Sequence, residues 1–132
     1  MLYYATEYLR LSYTNDKTNE SDSIVNQRQY IDEFVKRNPD IRIVNERVDD
    51  GCSGIVFDRP AFKAMIDDIK NGKINCVLVK DFSRFGRNSI EVGYFTQQIF
   101  PLFGVRFISV SDNYDSDEHK GDKAGNSSNM GI

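Results

Sequence analysis

Residues 76–79, Cys-Val-Leu-Val, constrain the fold more than any other stretch. Four consecutive apolar residues leave no face for water, which is the pattern of a buried central strand. Its neighbours alternate in character. Residues 3–11 read as a first strand, and residues 41–48, with β-branched residues alternating with polar ones, as a second. Residues 105–110 read as a fourth. Between them lie helical patterns. Ser21 caps a helix running to about Arg37, with Ile24, Arg28, Ile31 and Val35 at helical spacing, and Asn38-Pro39 stops it. Pro60 opens another at the favoured first position; Phe62, Met65, Ile66 and Ile69 line its inner stripe, and Asn71-Gly72 closes it. Asn88 and Glu91 have capping-box spacing, so a third helix starts near Ser89 and runs to about Phe103, disturbed at Pro101. The expectation is an α/β fold with a mostly parallel sheet of about four strands and helices packed on it.

The chain has 132 residues, enough for one compact domain. No apolar run approaches the roughly 18 residues of a membrane span, and the N-terminus does not read as a signal peptide. Two cysteines, Cys52 and Cys76, make no disulfide framework and point to a reducing, cytoplasmic setting. The net charge of −3 is unevenly placed. Asp112, Asp115, Asp117, Glu118 and Asp122 face only Lys120 and Lys123 as fixed positives after residue 111. The reading is therefore a neutral folded body over residues 1–111 and an acidic, flexible tail over 112–132. A neutral body lacks the basic excess of a free-standing duplex-DNA binder, but leaves room for a local arginine cluster around one phosphate.

Several chemistries are poorly supplied. The single histidine, His119, sits in the polar tail, and a Ser-His-Asp triad would have to recruit it from there. Cysteine and histidine are too few for a zinc site, and no Gly-rich phosphate cradle occurs, so no cofactor and no metal are expected. Cys76 reads as a small buried hydrophobe. What remains is arginine and serine. Arg10 and Ser12, two apart at the end of the first strand, leave the same face of an extended chain and run into a polar loop. Arg84 and Arg87 lie three apart in a loop after the central strand, just before a helix whose N-terminus favours anions. Planar guanidinium donors match phosphate oxygens. In parallel sheets ligands sit beyond the carboxyl ends of the strands, where both segments would meet.

At these residues the sequence resembles the serine recombinase family, the resolvases and invertases. Tyr8-Leu9-Arg10-Leu11-Ser12 matches the family's Tyr-x-Arg-x-Ser element, whose serine attacks DNA. Ser23 and Gln27 match a Ser-x-x-x-Gln pairing at the start of the first helix. "DDGCSG" and "FDRPAF" resemble the loop and helix start that supply another active-site arginine, here Arg59, and "VKDFSRFGRN" the segment giving Arg84 and Arg87. The combination looks closest to the large serine recombinases of Gram-positive mobile elements. Small resolvases place an acid immediately before the first of these arginines; here that position is Ser83, and the nearest acid is Asp81.

The resemblance implies a resolvase-like fold and site-specific recombination by transesterification, with Ser12 as nucleophile. It implies Arg10, Arg59, Arg84 and Arg87 around the phosphate, with Tyr8 and Gln27 in the site and Ser23, Ser83 and Asp81 in support. It also implies a continuation into a long dimerising helix and DNA-binding domains, so the chain is expected to be a catalytic core inactive alone. DNA contact and assembly to dimer and tetramer then belong to the full-length protein. The rival readings are a non-catalytic phosphate-binding domain and a metal-dependent nuclease built on Asp49, Asp50 and Asp81.

Overall fold

The computed structural model describes residues 2–11, 24–49, 59–86 and 88–117. Strand β1 spans Tyr3–Arg10, helix α1 Ile24–Lys36, β2 Ile41–Asp49, α2 Pro60–Lys70 and β3 Cys76–Val79. A one-turn helix α3, Phe82–Phe85, follows. Then come α4 (Ser89–Tyr94), a π-helical turn (Phe95–Ile99), α5 (Phe100–Leu102), β4 (Arg106–Ser109) and β5 (Tyr114–Asp115). The sheet order is β2-β1-β3-β4-β5. β1 pairs in parallel with both β2 and β3, β3 pairs in parallel with β4, and only β5 is antiparallel.

Side-chain alternation divides the core into two layers. Ala5 and Leu9 of β1, Cys76 and Leu78 of β3 and Ile108 of β4 pack with Ile31 of α1. Tyr8, Val77, Val79 and Phe107 point the other way, onto Phe62, Met65 and Ile69 of α2 and onto Phe85 and Phe100. All four residues of β3 are fully buried, as a strand covered on both faces must be. Cys76 lies among them, and burial pushes its thiol up to about 12.

Three expectations need correction. The expected mostly parallel sheet of about four strands carries a fifth, antiparallel strand, so the tail expected from residue 112 is still part of the described fold. Tyr114 packs against Phe82 and Phe107, and Asp115 binds the Arg106 guanidinium at 2.7 and 3.0 Å. Acidic residues that looked like a solvated tail are thus partners of a half-buried arginine. Next, the segment expected to be a loop before α4 contains α3. Last, the third helix is disturbed before Pro101 rather than at it: the Phe100 N–H bonds the Phe95 carbonyl, five residues back. Pro101 has no N–H and its ring crowds the carbonyl of residue 97, and a wider turn relieves both. The Thr96 hydroxyl donates to the Val92 carbonyl at 2.8 Å in the same stretch. Among the described residues no helix is long and apolar enough to cross a membrane.

Candidate active site

The carboxyl ends of β1 and β3 carry the arginines. Arg10 is the last residue of β1, at the height where β3 has already ended, so its backbone lacks a strand partner on that side. The fully buried Gln27 of α1 takes that place. Its Oε1 accepts from the Arg10 N–H at 3.1 Å, and its Nε2 donates to the Arg10 carbonyl at 3.0 Å. A primary amide mimics one rung of a ladder, so Gln27 fixes the backbone from which Arg10 projects. On the other side the Leu11 N–H bonds the Asp49 carbonyl at 3.0 Å.

The turn after β3 is the second component. Asp81 caps α3, its Oδ1 accepting from the Arg84 N–H at 3.0 Å and from the Ser83 hydroxyl at 2.8 Å. Extended residues 81 and 86 bracket the turn, which buries Phe85 and Arg84. Two other arginines reach into it. Arg10 Nη2 donates to the Ser83 carbonyl, and Arg59 Nη1 donates to the Phe85 carbonyl at 2.8 Å. A four-residue helix therefore gathers Arg10, Arg59 and Arg84. Gly86, its C-cap, lies so close to α4 that an added Cβ would come within 2.7 Å of Val92 Cγ2.

Arg59 is held by several partners at once. It stands at the N-cap of α2, with its guanidinium 4.1 Å from the Phe62 ring centre and Nη2 bonded to Glu91 Oε1 at 2.9 Å. An arginine cannot accept from the free amides of the helix it precedes. Asp49, at the end of β2, does so instead: Oδ1 accepts from the Ala61 N–H at 2.9 Å and Oδ2 from the Phe62 N–H at 3.0 Å. Oδ2 also accepts from the Tyr8 hydroxyl at 2.7 Å. Tyr8 is fully buried, and burial together with Asp49 raises its pKa far above the usual tyrosine range. It faces the core and reaches the site through Asp49.

Electrostatics distinguish Arg10. Burial pulls its pKa down, and the charges of Arg84 and Arg59 act in the same direction against Tyr8 and Asp49. An arginine so placed stays protonated. Among the described residues it bonds no carboxylate, and its Nε is buried without a hydrogen-bond partner. A half-buried cation that bonds no carboxylate among the described residues, beside two other cations, is the arrangement that an anion stabilises. Asp49 and Asp81, named for a metal-dependent reading, use their oxygens on N–H and O–H donors. Among the described residues no three metal-ligating side chains cluster.

Of the residues picked from sequence, Arg10, Gln27, Arg59, Arg84, Ser83 and Asp81 converge on this edge, and Tyr8 lies beneath it. Ser12, Ser23 and Arg87 lie outside the described residues, as does Asp50. The sequence offers Glu91 only as a helix-start signal, Asp49 as part of the "DDGCSG" resemblance and as a possible metal ligand, and Asp112 only as part of the tail. The spacing of Asn88 and Glu91 did locate α4, where Asn88 Oδ1 accepts from the Glu91 N–H at 2.8 Å.

The family model described as "Resolvase, N terminal domain" matches residues 5–124. A resolvase family site-specific recombinase from Streptococcus pneumoniae is 34% identical, with a TM-score of 0.75 over 93% of this chain and 82% of that one. The N-terminal catalytic domain of TP901-1 integrase is 26% identical, with a TM-score of 0.77 over 90% and 86%. The C-terminal catalytic domain of ISC1926 TnpA, an IS607-like serine recombinase, shares the fold at 20% identity, with a TM-score of 0.64 over 92% and 78%. No curated protein matches the chain. The arginine-bearing edge thus sits on a mixed α/β sheet shared with serine recombinase catalytic domains, and the chain belongs to the resolvase family.

Proposed function

We propose that this domain performs site-specific DNA recombination, with Ser12 as the nucleophile. The Ser12 hydroxyl loses its proton and its Oγ bonds to a backbone phosphorus. The P–O bond to one deoxyribose breaks, and that sugar oxygen leaves with a proton. The phosphoserine link retains the energy of the phosphodiester, so a new strand end can attack it and release Ser12. Charge building on the non-bridging oxygens is met by Arg10, Arg84, Arg87 and Arg59. The observation that supports this most is Arg10: half-buried, paired with no described carboxylate, beside two more arginines, and two residues before a serine. DNA is the proposed partner, engaged by the full-length protein, which assembles as dimer and tetramer in the cytoplasm.

The test is to trap the link. A duplex carrying the recombination site, nicked so that the cleaved end is lost, is incubated with the protein that bears this domain. The expected result is a covalent adduct whose peptide maps to Ser12, absent in Ser12→Ala. An adduct that persists in Ser12→Ala, or cleavage that leaves no protein attached and stops on chelation, refutes the assignment.

A further inference from the structure

Asp112 lies in the connection between β4 and β5. Its Oδ2 accepts from the Phe82 N–H at 2.8 Å and from the Ser109 hydroxyl at 2.7 Å. Ser109 is fully buried at the end of β4, so it aims the carboxylate. Phe82 is the first residue of α3, and its N–H is among the amides that a helix start leaves without a partner inside the helix. Two carboxylates divide those amides. Asp81 serves Arg84 from within the turn, and Asp112 serves Phe82 from across the sheet. Backbone pairing holds the two segments in register beside this contact, with the Val110 N–H on the Val79 carbonyl at 3.0 Å and the Ser111 N–H on the Lys80 carbonyl at 2.7 Å.

We infer that Asp112 is a positioning residue for the active site, acting through the Phe82 amide on the turn where Arg10, Arg59 and Arg84 converge. The inference rests on the recombinase reading above. Asp112 touches none of these guanidinium groups. It fixes where the turn begins. Moving the turn moves the carbonyl that Arg10 holds, the carbonyl that Arg59 holds, and the backbone of Arg84 together. A phosphate clamp with such linked parts loses all of them at once when the turn slips, which is why one remote hydrogen bond matters to it.

The test compares Asp112→Ala, Asp112→Asn and Asp115→Asn with wild type in the protein that bears the domain. All are measured well below their melting points. Asp112→Ala should slow formation of the Ser12 adduct by roughly tenfold to a hundredfold, the effect of one charge-assisted bond. Asp112→Asn should recover most of that rate, because its amide oxygen accepts the same two bonds. Asp115→Asn, which weakens the Arg106 pair, should melt lower yet cleave as wild type does. Amide exchange at Phe82 should accelerate in Asp112→Ala and stay slow in Asp112→Asn. Wild-type cleavage by Asp112→Ala, or equal losses in the two Asp112 variants, overturns the inference. If wild type itself forms no Ser12 adduct, the recombinase reading fails, and Phe82 exchange still decides whether Asp112 holds the turn.

Discussion

Replacing Asp49 by alanine should be among the most damaging single changes in the described core. One carboxylate there serves three donors: the Tyr8 hydroxyl and the first two free amides of α2. Arg59, at the N-cap, makes no side-chain capping bond of its own, so nothing replaces Asp49 in the alanine variant. Loss of a helix cap costs about 0.5–2 kcal/mol. Stranding the hydroxyl of a fully buried tyrosine adds about 1–3 kcal/mol. The two terms share one carboxylate and overlap, so about 2–4 kcal/mol is expected, against a total stability of roughly 5–15 kcal/mol. Tyr8→Phe gives the contrast. It removes the donor and leaves Asp49 with both amides, so it should cost only about 1 kcal/mol. In the double variant the stranded hydroxyl is gone, and the combined loss should be clearly less than the sum of the two. Urea denaturation of the four proteins measures this directly, with the slope checked for constancy. A loss below about 1 kcal/mol for Asp49→Ala, or strict additivity, would refute the claim that this carboxylate joins β1 to α2.

Two further outcomes follow from contacts near the site. Glu7, buried beside Glu46 across the β1–β2 register and near Asp32, has its carboxyl raised to about 8, chiefly by burial and by its bond to Glu46, while Arg28 holds Glu46 low. The folded chain therefore keeps a proton that the unfolded chain releases above the ordinary value of 4.5, so stability falls as pH rises from there to about 8, by up to about 1.4 kcal/mol per pH unit. Glu7→Gln should flatten that slope in urea titrations at several pH values, and parallel curves for the two proteins would sink the argument. Gly86→Ala has an ordinary φ of −128° but places its Cβ 2.7 Å from Val92 Cγ2 and 3.3 Å from Glu91 Oε1. Overpacking should cost about 1–3 kcal/mol, and Val92→Ala in the same chain should recover part of it; no recovery in the melting curves would place the strain elsewhere.

The strands were legible because β3 must be buried on both faces and β1 and β2 carry β-branched and aromatic residues at suitable spacing. α2 was legible from Pro60 and Asn71-Gly72, both of which act within a few residues of themselves. What escaped is what depends on distant partners. Asp112, Asp115 and Asp117 sit in a run whose composition says tail, yet Asp112 meets Phe82 because β4 returns beside β3, and Asp115 meets Arg106 because β5 folds back antiparallel to β4. Asp49 caps a helix that starts eleven residues later in the sequence, so no local cap signal exists. In α3, Asp81 at the N-cap was a readable signal, but four residues are too few for a periodic stripe to confirm.

Arg10 and Arg59 are held in different ways, and on the proposed reading the difference gives them different work. Arg59 meets a carboxylate, an aromatic face and a carbonyl, so its charge is largely answered within the protein. Those contacts tie the start of α2, the turn and α4 into one unit. Arg10 meets a carbonyl, which orients a guanidinium without neutralising it. Burial then makes its remaining charge more effective, because less water competes for it. The cost of holding such a cation is offset when a phosphate arrives, and is greatest while the site is empty. On the proposed reading Arg10 is accordingly the first anion ligand of this edge, and Arg59, besides facing the phosphate, keeps the turn beside it. Among the described residues Arg10 is kept in place by its backbone at Gln27 rather than by its charge at a carboxylate, and on the proposed reading that leaves the charge available to DNA.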